Sequence, residues 1–165
     1  MISLLIGSNL AYFKNNRIQI DKDVWKFEGI SADTKKKQPK SKITDYALML
    51  LNAPYQWGGR SPFGIDCSGF IQIIYKLIGI SLPRDASQQA EVGQALSFIE
   101  EAEEGDLAFF DNEEGQITHV GIILENNRII HASGMVRIDQ LDHQGIYNQE
   151  IKNYTHRLRL ISKIC

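Results

Sequence analysis

The sequence predicts an α+β fold, with helices packed on an antiparallel sheet. Two changes of rhythm along the chain carry that expectation. Apolar residues recur at helical spacing in the first half, at Ile43, Ala47, Leu50 and Leu51 and again at Phe70, Ile71, Ile74, Leu77 and Ile78. After Gly105 the period shortens to that of strands, interrupted by tight-turn signals at Glu113-Glu114-Gly115 and Asn126-Asn127. Helices followed by a run of strands, instead of a strict alternation of the two, argue against a parallel sheet.

Taken in order, residues 1–30 read as short strands, with Ile18 and Ile20 alternating with polar neighbours and turns at Asn15-Asn16 and Asp21–Asp23. Thirty residues cannot bury a core alone, so this piece packs on the rest or belongs to a larger domain. Residues 31–42, SADTKKKQPKSK, are polar, contain Pro39, and read as a solvated linker. A helix is expected from about Thr44 and is stopped by Asn52–Pro54. Residues 55–70, YQWGGRSPFGIDCSGF, open as a glycine-rich loop; the helical pattern resumes at Cys67 and runs to Leu77, with Gly79 placed to end it. A short helix is expected over 86–92. Strands are expected at 106–111, 118–125, 128–132, 135–139 and 156–161.

The bulk numbers exclude several classes. With 165 residues, 43% hydrophobic and 23% charged, the composition is that of a folded domain. A net charge of −2 with no basic stripe gives no reason to expect a nucleic-acid partner. The apolar start, Ile2–Ile6, is too short for a signal-peptide core, and no membrane segment is expected. The two cysteines, Cys67 and Cys165, suggest neither a disulfide framework nor a metal site, and no cofactor is expected.

Chemistry points to Cys67. It sits at the first turn of an expected helix, where free N–H groups and the helix dipole favour a thiolate. Asp66 or Ser68 can cap that helix, and Gly69 leaves room for a close approach. By position alone a nucleophile and a small buried hydrophobe are equally served. A nucleophile needs a base held by a third group. His119 opens one apolar strand and His131 closes the next, and a turn at Asn126-Asn127 would pair them, placing 119 near 131 or 132. Read alone, two histidines are as readily core residues as base and orienter; an adjacent helix-borne cysteine favours the functional reading. His143 and His156 read as surface residues, and Trp57 as core packing.

The motifs Tyr55-x-Trp57-Gly58-Gly59, Asp66-Cys67-Ser68-Gly69-Phe70, Leu82-Pro83-Arg84-Asp85, Gly105-Asp106-Leu107-x-Phe109-Phe110, His119-Val120-Gly121-Ile122 and Ile130-His131-Ala132-Ser133-Gly134 occur here in one order. In that order they resemble the NlpC family of cell-wall cysteine peptidases, over about residues 43–140. The resemblance implies a papain-like α+β domain over 43–165 and a Cys–His–His triad, with Cys67 attacking, His119 as base and His131 orienting it. It implies substrate contacts at Tyr55, Asp66, Ser68, Arg84 and Asp85, with the Tyr55 hydroxyl and the Cys67 N–H as oxyanion donors. Asp66 and Ser68 would hold the ammonium of a free L-alanine, and Arg84 the α-carboxylate of D-glutamate. Ala86 stands where many relatives have serine. Residues 1–30 resemble the last strands of the SH3-like domain that precedes the catalytic domain in γ-D-glutamyl-diamino-acid endopeptidases, which makes this chain an expected short form of such a protein.

The expected partner is therefore a murein peptide, the expected state a monomer. The expected location is cytoplasmic for the chain as it stands, and extracytoplasmic if a leader precedes it. The competing readings are an amidase or acyltransferase on the same scaffold, and a catalytically silent module that binds cell-wall peptides.

Overall fold

The computed structural model describes residues 1–165. The elements run β1 (Arg17–Ile20), β2 (Asp23–Lys26), α1 (Lys42–Leu48), β3 (Arg60–Ser61), β4 (Gly64–Ile65), α2 (Cys67–Leu77) and α3 (Ala86–Gln89). They continue with β5 (Gln94–Leu96), β6 (Leu107–Asp111), β7 (Ile117–Leu124), β8 (Arg128–Ser133), β9 (Met135–Leu141), β10 (Gly145–Asn148) and β11 (Asn153–Lys163). This is the expected α+β architecture.

Helix α2 is the spine. Its start is set by Asp66, whose Oδ1 accepts the Gly69 N–H at 2.7 Å and so satisfies one of the free first-turn donors. Gly69 is required there: a Cβ would lie 2.5 Å from the Gly59 carbonyl oxygen and 2.8 Å from the capping carboxylate. The helix ends at Gly79, at φ +83°, where the Ile80 and Gly79 N–H groups fold back onto the Tyr75 and Lys76 carbonyls. The expected apolar face is real: Phe70, Ile71, Ile74 and Ile78 are all fully buried. Ile43 and Ala47 of α1 and Leu50 in the turn after it are buried likewise, whereas Leu51 turns out to solvent before Asn52 at φ +68°.

The strands form one antiparallel sheet in the order β10-β9-β8-β7-β6-β11-β5. Strand β10 bonds to both β9 and β11, so six strands close into a barrel, and β5 extends its β11 edge. Closure gives every strand two faces. Leu107, Phe109, Val120, Ile122, Leu124, Ile130, Ala132 and Val136 pack outward against the helices, in one core cluster of 22 buried residues. Ala108, Phe110, Ile123, Ile129, Leu141, Ile146 and Ile161 alternate with them and fill the inside. The β7–β8 hairpin turns where expected, with Asn126 and Asn127 at φ +59° and +54°, a region that asparagine tolerates. Strands β5 and β10 were not foreseen: both are short, and each is stabilised by pairing with β11 instead of by its own alternation.

The amino-terminal strands β1 and β2 form a separate two-stranded sheet, with Ile18 opposite Trp25; Ile18 is the one buried residue in it. The segment 31–42 is not a free linker. Its Gln38 N–H donates to the Ile78 carbonyl at the end of α2, and Lys40 reaches Asp106 at 2.7 Å. Asp106 is only 1% exposed, so Lys40 is the partner of a buried carboxylate, not a solvated charge. No helix is long and apolar enough to cross a membrane.

Removing one member of a buried ion pair leaves the other uncompensated. Lys40→Met is therefore expected to lower unfolding stability by about 3 kcal/mol, read by chemical denaturation. Lys35→Met, at an exposed position in the same segment, is expected to stay within about 0.5 kcal/mol of the parent. Equal effects would remove the assignment of Lys40.

Candidate active site

The cap that starts α2 also aims Cys67. Its side chain is the first of the helix, and the helix docks on the opening residues of β7. There the sulfur lies 4.0 Å from the Thr118 carbonyl oxygen and accepts the Val120 N–H. The thiol is thus seated on the backbone either side of His119. The helix end and local N–H groups do favour a thiolate, but they lose to burial. Burial, followed by the Asp66 carboxylate, pushes the Cys67 thiol above the ordinary cysteine range, and the Ser68, Val120 and Cys67 N–H groups offset only part of this. The helix start favours the thiolate, as expected, but burial outweighs it and favours the thiol.

His119 and His131 alternate with the outward-facing residues of β7 and β8 and so share the barrel's inner face. The register is not the one expected. His131 stands opposite Gly121, not His119, and the two imidazoles meet diagonally, with His119 Nε2 2.8 Å from His131 Nδ1. Gly121 makes this possible, since a Cβ there would sit 2.9 Å from the His131 Cβ and 2.7 Å from Ile129. Behind His131 stands a residue that sequence reasoning missed. His131 Nε2 lies 2.9 Å from Asp139 Oδ2, and Asp139 is gripped by the Arg137 guanidinium at 2.6 and 3.0 Å. Burial alone would raise the Asp139 carboxyl, but the bonds from His131 and Arg137 win and hold it below the usual carboxylate range.

This chain of bonds orders the protons. A carboxylate only accepts, so His131 Nε2 carries hydrogen. In the tautomer whose His119 Nε2–H donates to His131 Nδ1, the His119 Nδ1 lone pair is left free. Burial, then His156, then His131 hold His119 well below its ordinary value, so it is neutral at rest. In this conformation the thiol and the imidazole are not hydrogen-bonded to each other.

His156 corrects the surface reading. It lies on β11, which is separated from β7 by β6, and its ring stacks on His119 at 4.1 Å with 26° between planes. It also stands edge-on to His131 at 5.6 Å. Barrel closure creates this contact, and no local pattern signals it. His143 is exposed in the loop before β10, as expected.

The remaining expected site residues gather beside the thiol, apart from Asp85. Arg84 donates to Asp66 Oδ1 at 3.0 Å and to Ser68 Oγ at 2.9 Å, and pairs with Asp66 Oδ2. The Gly58 N–H also reaches Asp66, at 2.8 Å. Asp66 is thus cap, anchor for the glycine loop and counter-ion at once. Burial opposes its charge, and Arg84 with the Gly69 and Gly58 N–H groups nevertheless holds it below the usual range. Arg84 pairs with Asp66, not with Asp85, which is exposed and forms no ion pair. Gln89, missed in the sequence, is fully buried and ties the Arg84 loop to α2 by donating to the Ser68 and Pro83 carbonyls. Tyr55 is half-buried and remains a phenol, its acidity reduced mainly by burial and further by the nearby Asp66 carboxylate. Trp57 is 84% exposed, so its core reading is wrong: the loop carries it outward.

Residues 52–156 match the NlpC/P60 family. The chain is 35% identical over 130 residues to the γ-D-glutamyl-L-lysine dipeptidyl-peptidase of Bacillus subtilis, covering 78% of this chain and 43% of that protein. It is 37% identical over 109 residues to the "Probable endopeptidase NlpC" of Escherichia coli, covering 65% of this chain and 69% of that one. In fold it is similar to an NlpC/P60 family protein from Bacillus cereus, with a TM-score of 0.72 at 24% identity over 94% of this chain and 52% of the other. The chain therefore spans under half the length of the Bacillus subtilis relative.

A protonated, buried thiol makes a definite prediction for alkylation. Without substrate, the rate of Cys67 modification by iodoacetamide in a Cys165→Ser background is expected to keep climbing through pH 9, because only the rising thiolate fraction reacts. A rate that levels off near neutrality would show a pre-formed thiolate–imidazolium pair instead.

Proposed function

The chain belongs to the NlpC/P60 family, and we propose that it is a cysteine peptidase cutting murein peptides at the bond between γ-D-glutamate and a diamino acid, L-lysine or diaminopimelate. The observation that carries this reading is the placement of Cys67. It is the first residue of a capped helix, its sulfur rests against the backbone on either side of His119, and the His119 ring is backed by His131 and Asp139. The names of similar proteins support the bond chosen.

From the neutral resting state, the thiol gives its proton to His119 Nδ1 as Sγ attacks the γ-carbonyl carbon. The oxyanion takes the Cys67 backbone N–H and the Tyr55 hydroxyl as donors. The intermediate collapses to a thioester, His119 returns the proton to the departing amine, and the same ring then activates water. The positive charge generated on His119 is shared through His131 toward Asp139. This amends the role expected of His131. A lone neutral imidazole would stabilise that charge weakly, and the buried carboxylate behind it does so better.

Asp66 and Ser68 are proposed to receive the L-alanine ammonium. Arg84 already occupies both, so the ammonium has to share Asp66 with the guanidinium. An N–H left free on Arg84 would then face the α-carboxylate of D-glutamate, which suits the planar fork of arginine.

The reaction is tested with L-Ala-γ-D-Glu-L-Lys and its diaminopimelate counterpart, following release of L-Ala-D-Glu by mass spectrometry. Hydrolysis is expected and should vanish in Cys67→Ala; a protein that leaves both peptides intact, or a variant that still cleaves, would refute the proposal. Acetylation of the alanine amine should sharply reduce turnover, and unchanged turnover would remove the ammonium site. Asp139→Asn is expected to lower kcat by about tenfold or more with little change in KM; wild-type kcat in that variant would make Asp139 a structural residue only.

A further inference from the structure

The mechanism above uses two of the three histidines that meet at this end of the barrel. The third, His156, comes from a different strand and has no part in proton transfer. One ring nitrogen of each of His119, His131 and His156 lies within 4.8 Å of the others. His119 and His131 are buried, and His156 is the one with an edge toward solvent.

We propose that these three imidazoles form a binding site for a divalent transition metal of the zinc type, and that the bound metal switches the thiol chemistry off. The second half rests on the peptidase reading; the first does not.

The outward nitrogens of two of the rings are already held. His131 Nε2 bonds to the Asp139 carboxylate at 2.9 Å, the arrangement in which a ligating histidine is oriented and made more basic. His156 Nδ1 lies 2.8 Å from the Thr155 hydroxyl oxygen. That leaves His131 Nδ1 and His156 Nε2 on those two rings, and His119 Nε2 already lies 2.8 Å from His131 Nδ1. All three are imidazole donors, which suits zinc and its neighbours better than calcium or magnesium.

Two adjustments are needed, and both are local. The His156 ring has to turn out of its stack on His119, since stacked rings aim their lone pairs alongside each other. The metal also has to replace the hydrogen bond between His119 and His131. Neutral His119 keeps its proton, which passes through water from Nε2 to Nδ1. That nitrogen is the one the mechanism needs empty. A metal on Nε2 thus leaves His119 unable to accept the Cys67 proton, with no contact between metal and sulfur. Three protein ligands leave a fourth position to water, an open coordination that suits an ion able to come and go.

The experiment uses the whole chain in a Cys165→Ser background, stripped with a chelator and titrated with Zn2+ against a chromophoric competitor. One zinc per chain is expected, and it should persist in Cys67→Ala. His156→Phe, which keeps an aromatic ring against His119, should weaken binding by about tenfold or more, and His156→Leu serves as a second variant where Phe disturbs folding. Absence of binding, loss of binding in Cys67→Ala, or full affinity in a folded His156 variant would each overturn the site. With the murein peptide as substrate, zinc should inhibit the parent reversibly and spare His156→Phe; equal inhibition of both would overturn the switch. A parent without hydrolysis would fault the peptidase reading, while the zinc titration still decides the site.

Discussion

His119 and His131 are polar rings on the inner face of a closed sheet, and their mutual hydrogen bond can persist there only because the far side of His131 is also satisfied. An unpaired polar group in such a place costs the loss of its water without return. Asp139 supplies the missing partner, and Arg137 in turn neutralises Asp139 at the barrel's edge. The polar chain thus runs from the interior to solvent, with His119 Nδ1 as its one free end. Other features follow from it. Gly121 has to be glycine so that His131 fits beside its strand partner, and the free nitrogen of His119 is Nδ1 because Nε2 is committed.

The electrostatics on the two sides of β7 are opposite in kind. Inside the barrel, burial and neighbouring imidazoles disfavour a positive His119. Outside, burial and Asp66 disfavour a negative Cys67. Each group alone resists the charge that catalysis would give it. A proton moved from one to the other creates both charges together, and their attraction in a low-dielectric setting offsets much of the cost. A resting neutral pair is therefore compatible with a reactive one, provided that transfer accompanies attack and does not precede it.

What was legible in the sequence was what is local. The bounds of α2 could be read because a cap, an apolar face and a terminating glycine lie within fourteen residues of one another, Asp66 to Gly79. The β7–β8 hairpin could be read because two asparagines mark its turn. Register could not, because alternation fixes which face a histidine takes but not which residue stands opposite; the pairing of His131 with Gly121 depends on the turn. Asp139 was passed over as one acidic residue in an expected strand, although its alternation with Arg137 two positions away was visible. His156 and the closing strand β10 were illegible for one reason: both owe their place to barrel closure, which joins segments far apart in the chain. Trp57 failed differently, since an aromatic residue in a glycine-rich loop carries no periodicity to show which way it points.

Closure also explains why the thiol side and the imidazole side can be built by separate parts of the chain. The loop from Tyr55 to Asp66, the start of α2 and the Arg84–Gln89 segment are bound to one another through Asp66, Ser68 and Gln89. The histidines, Asp139 and Arg137 are bound to one another across β7, β8 and β9. Between the two networks stands the first part of β7, touching the sulfur with its backbone and the second network with the His119 ring. Any change in how α2 sits on β7 therefore alters the relation of thiol to imidazole directly. The side chains packed under that contact, Phe70 and Ile74 from the helix and Val120 and Ile122 from the strand, are fully buried, and close packing leaves them little freedom to shift. Tight apolar packing beneath, and polar networks fixed separately above, hold the thiol and the imidazole on the same stretch of β7.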